Sequence, residues 1–249
     1  MRCKLCLEEK PLIKKSHIIP DFQYKEMFDE KHRIIRISQE EQRSFSIPDG
    51  EYEPNILCAD CDNVLIGGWE SYASQIFYGG TNPPIIAENF RKPDGLEFLQ
   101  VRGVDYEKFR LFLLSVVWRA SISKRPFFAN VSLGPHEEKI RRILIDRNPG
   151  KANQYPCLIS TYRKGVLPKE VIAAPKKIRI HGNSGDIKKI GYSFLIGGFL
   201  FMYKISENEN DDAFLEAAIS ENGDMMVPHI PHNQATKILN NAFNKPLFP

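Results

Sequence analysis

The alternation of apolar and polar positions predicts a chain that mixes helices with short strands. Apolar side chains recur at helical spacing over residues 65–77 and again over residues 106–123, so both stretches are predicted to be amphipathic helices. Gly134-Pro135 opens a further predicted helix, whose first turn is acidic as the helix dipole favours. Runs of β-favouring residues predict strands at 12–13, 17–19, 33–37, 157–162, 171–174, 176–180 and 192–203.

A break in this pattern divides the chain into two predicted domains. Residues 79–84 read Gly-Gly-Thr-Asn-Pro-Pro, a composition that interrupts helices and strands. We therefore expect one unit over residues 1–95 and a basic α+β unit over residues 96–249. The second unit is predicted to contain helices and a small antiparallel sheet, with Gly197-Gly198 at a hairpin turn or bulge, and a closing helix over residues 233–244. The predicted fold class is α+β.

Composition excludes several classes of protein. Hydrophobic residues make up 42% of the 249 positions and charged residues 26%, which excludes a disordered or fibrous chain. No apolar segment follows the amino terminus, so no secretory signal is predicted. The most apolar stretch, residues 190–205, is too short and too interrupted to span a membrane. We expect a soluble, cytoplasmic protein.

The net charge of +3 conceals an uneven distribution. Residues 101–204 carry 20 Lys and Arg against 7 Asp and Glu, whereas residues 1–100 carry 12 against 17. A concentration of positive charge favours a polyanionic partner, because each cation beside a phosphate releases counterions. Solvated helix faces and helix carboxyl ends also collect cations, so that alternative stays open. The candidate nucleic-acid-binding residues are Arg119, Lys124, Arg125, Arg141 and Arg142.

Four of the five cysteines form two Cys-x-x-Cys pairs, Cys3/Cys6 and Cys58/Cys61. A disulfide framework is not expected in a chain without an export signal, and a redox Cys-x-x-Cys motif is not expected twice. Two such pairs can instead complete a tetrahedral site of four sulfurs, for which zinc is the preferred metal. Cys157 stands alone in an apolar run and is predicted to be a buried small hydrophobe.

Two segments around these pairs carry a resemblance to a known family. Between the pairs stands Lys15-Ser16-His17-Ile18-Ile19-Pro20, and the second pair lies in Asn55-Ile56-Leu57-Cys58-Ala59-Asp60-Cys61-Asp62-Asn63. This order resembles the zinc-bearing HNH (ββα-metal) endonucleases, in which a Cys-x-x-Cys precedes a strand with an Asp-His-Ile-x-Pro-like motif and an Asn-Leu-x-x-Leu-Cys-x-x-Cys-His segment leads into a helix. The resemblance covers about the first third of the chain and implies an HNH-like, zinc-stabilised module there.

The resemblance also implies residue roles. His17 would be the general base that activates water, Asn55 would hold the base-bearing loop, and Asp62 would be a ligand for a catalytic Mg²⁺ or Mn²⁺ ion. Ser16 departs from the pattern, because the family places an Asp or His ligand there. Asp21, Asp60 or Glu70 would then supply the missing carboxylate, and the sequence does not choose among them.

The function expected from these residues is metal-dependent hydrolysis of phosphodiester bonds in DNA, less readily RNA. The family often serves in bacterial antiphage defence, which the resemblance extends to this chain. The alternative is a catalytically degenerate, zinc-dependent nucleic-acid-binding or scaffold protein, which the serine at position 16 favours. A protein partner or a homo-oligomer is a further open expectation.

Overall fold

Short elements surround the cysteine pairs at the start of the chain. The computed structural model describes residues 1–31, 33–38, 44–46, 50–79, 85–162, 169–181, 188–207 and 212–231. A π-helical turn over Asp60–Ile66 runs directly into a helix, so the second cysteine pair sits where that helix begins. The elements up to this helix are β1 (Ser16–His17), α1 (Asp21–Met27), β2 (Ile34–Ile37), β3 (Ser44–Ser46), β4 (Tyr52–Glu53) and α2 (Gly67–Tyr78).

Longer helices and strands make up the rest of the described chain. A 3₁₀ turn over Pro126–Phe128 separates the two largest helices that follow residue 100. In chain order the elements are β5 (Ile86–Arg91), β6 (Glu97–Arg102), α3 (Tyr106–Ile122), α4 (His136–Ile145), β7 (Cys157–Tyr162), β8 (Val171–His181), β9 (Lys188–Ile196), β10 (Phe199–Lys204), α5 (Asp212–Ala217) and β11 (Met225–Ile230).

A nine-stranded mixed sheet joins strands from both ends of the chain. Its order is β3-β2-β8-β9-β10-β7-β11-β6-β5, and only the β2–β8 and β7–β11 pairs are parallel. Separately, β1 and β4 form a two-stranded antiparallel ladder in which His17 lies opposite Tyr52. The predicted strands at 157–162 and 192–203 are confirmed, the latter folded about Gly197-Gly198 into the β9–β10 hairpin. The predicted small antiparallel sheet is wrong in extent, because β2 and β11 add parallel neighbours to it.

Helix α3 lies at the centre of the molecule. Asp105 caps it by accepting the backbone N–H of Lys108, and every residue from Phe109 to Ala120 is buried. The prediction of a helix over 106–123 is confirmed, although its burial on all sides was not expected from an amphipathic pattern. One hydrophobic core includes the cysteine pairs, α3 and strands of the large sheet, and extends from Cys3 to Val227.

The α+β fold class is confirmed for the part of the chain described here. Residues 80–84 of the predicted break and all of the predicted helix 233–244 lie outside the described residues. The division at residue 95 stays a prediction. None of the described helices is long and apolar enough to cross a lipid bilayer.

Candidate metal centre and adjoining polar site

Four cysteine sulfurs converge at one point. The Sγ atoms of Cys3, Cys6, Cys58 and Cys61 all lie within 4.8 Å of one another, and three of the four residues are buried. A zinc tetrahedron with bonds of about 2.3 Å places its sulfurs about 3.8 Å apart, so this cluster is close to the required size. The four cysteines can therefore hold a zinc ion, as their spacing predicts.

The backbone around the first pair forms a tight turn. Leu7 donates its N–H to the carbonyl of Cys3 at 3.0 Å and takes a left-handed φ of 63° to close the turn. Lys4 donates its N–H to the carbonyl of Ile56 at 2.8 Å, which joins this turn to the segment that leads into the second pair. These bonds bring together two cysteine pairs that are distant along the chain.

The cluster favours one thiolate, at Cys3, whereas burial raises the pKa of Cys6 and hydrogen bonding to Cys3 together with burial raises the pKa of Cys61. Hydrogen bonding from the Cys61 thiol lowers the pKa of Cys3 to about 4, and backbone N–H groups of Cys58, Cys6 and Leu5 add to this against the effect of burial. The Cys58 N–H lies 3.3 Å from Cys3 Sγ. Because a metal ligand must be a thiolate, N–H groups directed at sulfur prepare the site for a cation.

A polar site adjoins the cluster; its members are Ser16, His17, Asp62, Glu70 and Arg119. Ser16 is fully buried and donates its hydroxyl to Asp62 Oδ1 at 2.5 Å. The next residue, His17, is half-buried, and its charge acts on both Asp62 and Glu70. His17, the base that the resemblance implies, and Asp62, the metal ligand that it implies, therefore lie in the same site.

Arg119 closes the inner side of the polar site. Its side chain is 1% exposed and lies 2.7 Å from Glu70 Oε1, and it donates to the carbonyl of His17 at 2.5 Å. Helix α3 therefore holds both α2 and the strand that bears His17. Arg119 does not face a surface, so it is not placed to contact nucleic acid as its sequence position suggested.

Burial controls the acidity of the two carboxyl groups. Burial raises the pKa of Asp62, against the Ser16 hydrogen bond and the positive charges of Arg119 and His17. Burial likewise raises the pKa of Glu70, against the charge and hydrogen bond of Arg119. Of the three carboxylates considered for the missing ligand, Glu70 joins the site, whereas Asp21 pairs with Lys25 and the exposed Asp60 pairs with Lys10.

Two cations flank the tyrosine that faces His17. The Tyr52 ring meets the His17 ring edge-on with centroids 6.3 Å apart. Lys15 Nζ lies 5.3 Å from the centre of the Tyr52 ring and the Arg125 guanidinium lies 5.1 Å from it. Arg125 also donates to the Tyr52 carbonyl at 2.7 Å. This arrangement places positive charge at the rim of the polar site, which suits a phosphate.

The end of α3 is fastened to the ladder that carries His17. Glu53, on β4, accepts the hydroxyl of Ser123 at 2.9 Å and the backbone N–H of Lys124 at 3.1 Å. With the bonds of Arg119 and Arg125, four successive contacts join α3 and its carboxyl end to β1 and β4. The polar site therefore draws on residues from both predicted units, 1–95 and 96–249.

The remaining candidate residues lie apart from the polar site. Asn55 is exposed, adopts a left-handed φ of 59°, and ties its backbone N–H to the carbonyl of Ile13 at 3.0 Å. Arg141 and Arg142 both pair with Glu138, and Arg141 also donates to the carbonyl of Leu5 beside the first cysteine pair. Lys124 is exposed next to Arg125. Cys157 is buried, as predicted.

Sequence reasoning missed the partners that complete the site. Tyr52 stands in no motif, and its contact with His17 follows only from the register of β1 against β4. Lys15 stands two positions before His17, so the sequence did place a cation near the histidine. Its ammonium group lies against the ring of Tyr52. The pairing of Glu70 with Arg119 links residues far apart in the chain and has no local signature.

Comparison of this chain with protein-family models, with curated proteins and with solved structures finds no match. The resemblance to the HNH nucleases consequently rests on the sequence motifs alone, and what the structure adds is a four-cysteine cluster that can hold a metal ion.

Proposed function

We propose that this protein is a zinc-stabilised, metal-dependent nuclease that hydrolyses phosphodiester bonds at the polar site. The observation that carries the proposal is the convergence of His17 and Asp62 beside the four-cysteine cluster. A site closed by four thiolates has no open coordination position, so zinc there would have a structural role. The chemistry falls to the neighbouring side chains.

His17 is the candidate general base. Imidazole is the side chain best suited to accept a proton from water, and His17 lies half-buried in the same site as Asp62. The water oxygen then attacks phosphorus and the bond from phosphorus to the leaving oxygen breaks; the electron pair stays on that oxygen, which takes a proton from solvent. Arg119 keeps the His17 backbone in place through the 2.5 Å bond to its carbonyl.

Positive charge at the rim would hold the substrate. Lys15 and Arg125 flank Tyr52 on the side of the ladder that bears His17, where they can pair with phosphate oxygens. A Mg²⁺ or Mn²⁺ ion, when bound, would stabilise the charge that develops on the phosphate. Asp62 is the residue that would hold such an ion, because its described partner is a neutral hydroxyl, whereas Glu70 already pairs with Arg119.

The test is cleavage of plasmid and oligonucleotide DNA, and of RNA, by purified protein with Mg²⁺ or Mn²⁺. We expect wild type to cut and His17→Ala to lose at least about 100-fold in rate, as removal of a general base does. His136→Ala is the matched control, because His136 contacts Tyr155 on another part of the molecule. Equal cleavage by wild type and His17→Ala would refute the proposal.

A second candidate is a nucleic-acid-binding protein that does not cleave. The observation that favours it is that both carboxylates of the polar site already have partners, Asp62 in Ser16 and Glu70 in Arg119. An arginine in this position supplies permanently the charge that a metal ion would bring. Salt-sensitive binding without cleavage under any divalent metal would identify this function.

A further inference from the structure

The outer end of the β8–β9 ladder extends past its neighbouring strands. Strand β2 pairs with β8 only over Val171–Ala173, and β10 pairs with β9 only from Gly191 onward. We call residues 176–181 of β8 and 188–190 of β9 the β8–β9 arm. Within the described chain no third strand pairs with residues 179–181 and 188–190, which form a short two-stranded ribbon at the tip of the arm. Residues 176–178 lie on the open edge of β8, opposite β9 residues that also pair with β10.

The described residues of the arm carry five Lys and Arg and no Asp or Glu. Lys177 and Arg179 are exposed and lie two positions apart on β8, so they share one face of this strand. Ile190, opposite Arg179, is 46% exposed on that face. Neither Lys177 nor Arg179 has an ion pair with any residue that the structure describes, in contrast to Arg141 and Arg142.

We propose that the β8–β9 arm binds the phosphate backbone of duplex nucleic acid. A two-stranded ribbon fits the major groove, which is about 12 Å wide. Side chains two positions apart on a strand are about 6.7 Å apart. Each nucleic-acid strand has a phosphate per about 3.4 Å of axis, so Lys177 and Arg179 reach separate phosphates. The positive charge of Lys177 and Arg179 makes a polyanion the complementary partner.

Strand β8 runs from the arm toward the polar site. It lies beside the 3₁₀ turn Pro126–Phe128, which directly follows Arg125. Arg36, which pairs with Ile172 at the end of β8 away from the arm, lies 5.9 Å from the centre of the Phe127 ring. The inference rests on the proposed function for its substrate class, but binding alone tests it.

The test measures affinity for a short labelled DNA duplex over a series of salt concentrations, without added divalent metal and in the His17→Ala background. The arm variant is Lys177→Ala with Arg179→Ala. We expect weaker binding and a smaller dependence on salt. The negative slope of log K against log salt should decrease in magnitude by about 1.8, which is about 0.9 for each of the two lost phosphate contacts. The matched control is Lys139→Ala with Lys151→Ala, two exposed lysines outside the arm that give the same change in net charge.

The outcomes separate this inference from the proposed function. An unchanged slope in the arm variant, or an equal loss in the control pair, overturns it. Preference for single-stranded DNA or for anionic lipid vesicles over duplex also overturns it. If the protein binds duplex through the arm but never cleaves it, the nuclease proposal is refuted and the proposed role of the arm stands. Thermal melting of each variant tests whether unfolding causes the weaker binding. Lys177→Glu tests whether charge causes it.

Discussion

The positive charge of the buried Arg119 opposes the rise that burial causes in the pKa values of Asp62 and Glu70. Arg119 neutralises Glu70 from inside the protein, yet burial still raises the pKa of Glu70. Replacing one partner of a buried pair leaves the other charge uncompensated, which commonly costs about 3–5 kcal/mol. The sequence showed an arginine at the end of a helix, where cations are usual, and could not show that packing closes around it on every side.

The raised pKa of Glu70 predicts a specific dependence of stability on pH. Between the unfolded pKa, near 4.5, and the higher folded pKa, the folded state binds more protons at Glu70 than the unfolded state does. The contribution of Glu70 to the free energy of unfolding therefore falls as pH rises through that interval. Glu70→Gln should remove this fall, so the stability difference between variant and wild type should shift in favour of the variant as pH rises.

Denaturant unfolding of both proteins at several pH values from about 4.5 to 7 measures this effect. Comparing the two proteins at each pH cancels any change in the metal site that both share. A difference in unfolding free energy that is constant across the range would contradict the assignment. A difference that moves in the opposite direction would mean that Arg119 outweighs burial at Glu70.

Each of the four clustered cysteines should be needed for zinc. Cys58→Ser is expected to abolish stoichiometric zinc and to lower the melting temperature sharply, because structural zinc in small modules contributes on the order of 10 kcal/mol. Cys157→Ser is the matched control, since Cys157 is also buried but lies outside the cluster. Metal analysis by mass spectrometry checks both variants, and full zinc content in Cys58→Ser would contradict the four-sulfur site.

At the scale of elements, spacing and periodicity predicted the features that depend on neighbouring residues. They did not predict which distant strands pair with one another. The two Cys-x-x-Cys pairs and helix α3 follow from short-range patterns, and both are found. The predicted strands at 171–174 and 176–180 are instead one bulged strand, β8, because a proline at 175 interrupts the pattern without ending the pairing with β9. The partner of β8 on its other side, β2, lies over 130 positions away along the sequence and has no local signal.

The contact between β4 and the end of α3 should set the geometry of the polar site. Glu53→Ala removes the acceptor of two hydrogen bonds, from Ser123 and from the Lys124 backbone. We expect a loss of about 1–3 kcal/mol in unfolding free energy, because two partly buried donors lose a charged acceptor. Since Tyr52 adjoins Glu53, any nuclease activity should fall as well.

Glu53→Gln is the graded comparison, because the amide keeps one acceptor oxygen in nearly the same volume. It should retain more stability and more activity than Glu53→Ala, as measured by chemical denaturation and by the plasmid assay. Equal effects of the two variants would mean that the carboxylate acts through its charge and not through the two bonds to α3.

At the scale of the whole molecule, the polar site depends on residues from both predicted units, 1–95 and 96–249. The motifs that resemble an HNH module end before residue 64, yet Arg119, Ser123 and Arg125 all contact the His17 ladder. The core that holds the cysteine pairs also includes α3 and strands of the large sheet. A short motif can specify metal ligands, whereas a core of this extent is specified by packing across the entire sequence.

These contacts predict how a chain of residues 1–95 alone would behave. Its four cysteines should still capture zinc, because thiolates within one peptide need little else to bind the metal. The fragment should nevertheless lack a cooperative thermal transition, since removing α3 exposes Ile66 and Trp69 and deprives Glu70 of its cation. Calorimetry and the dispersion of amide proton resonances test this against the full chain. A fragment that melts cooperatively and cleaves DNA through His17 would show that the first segment is an independent module, and that α3 supports a site already complete without it.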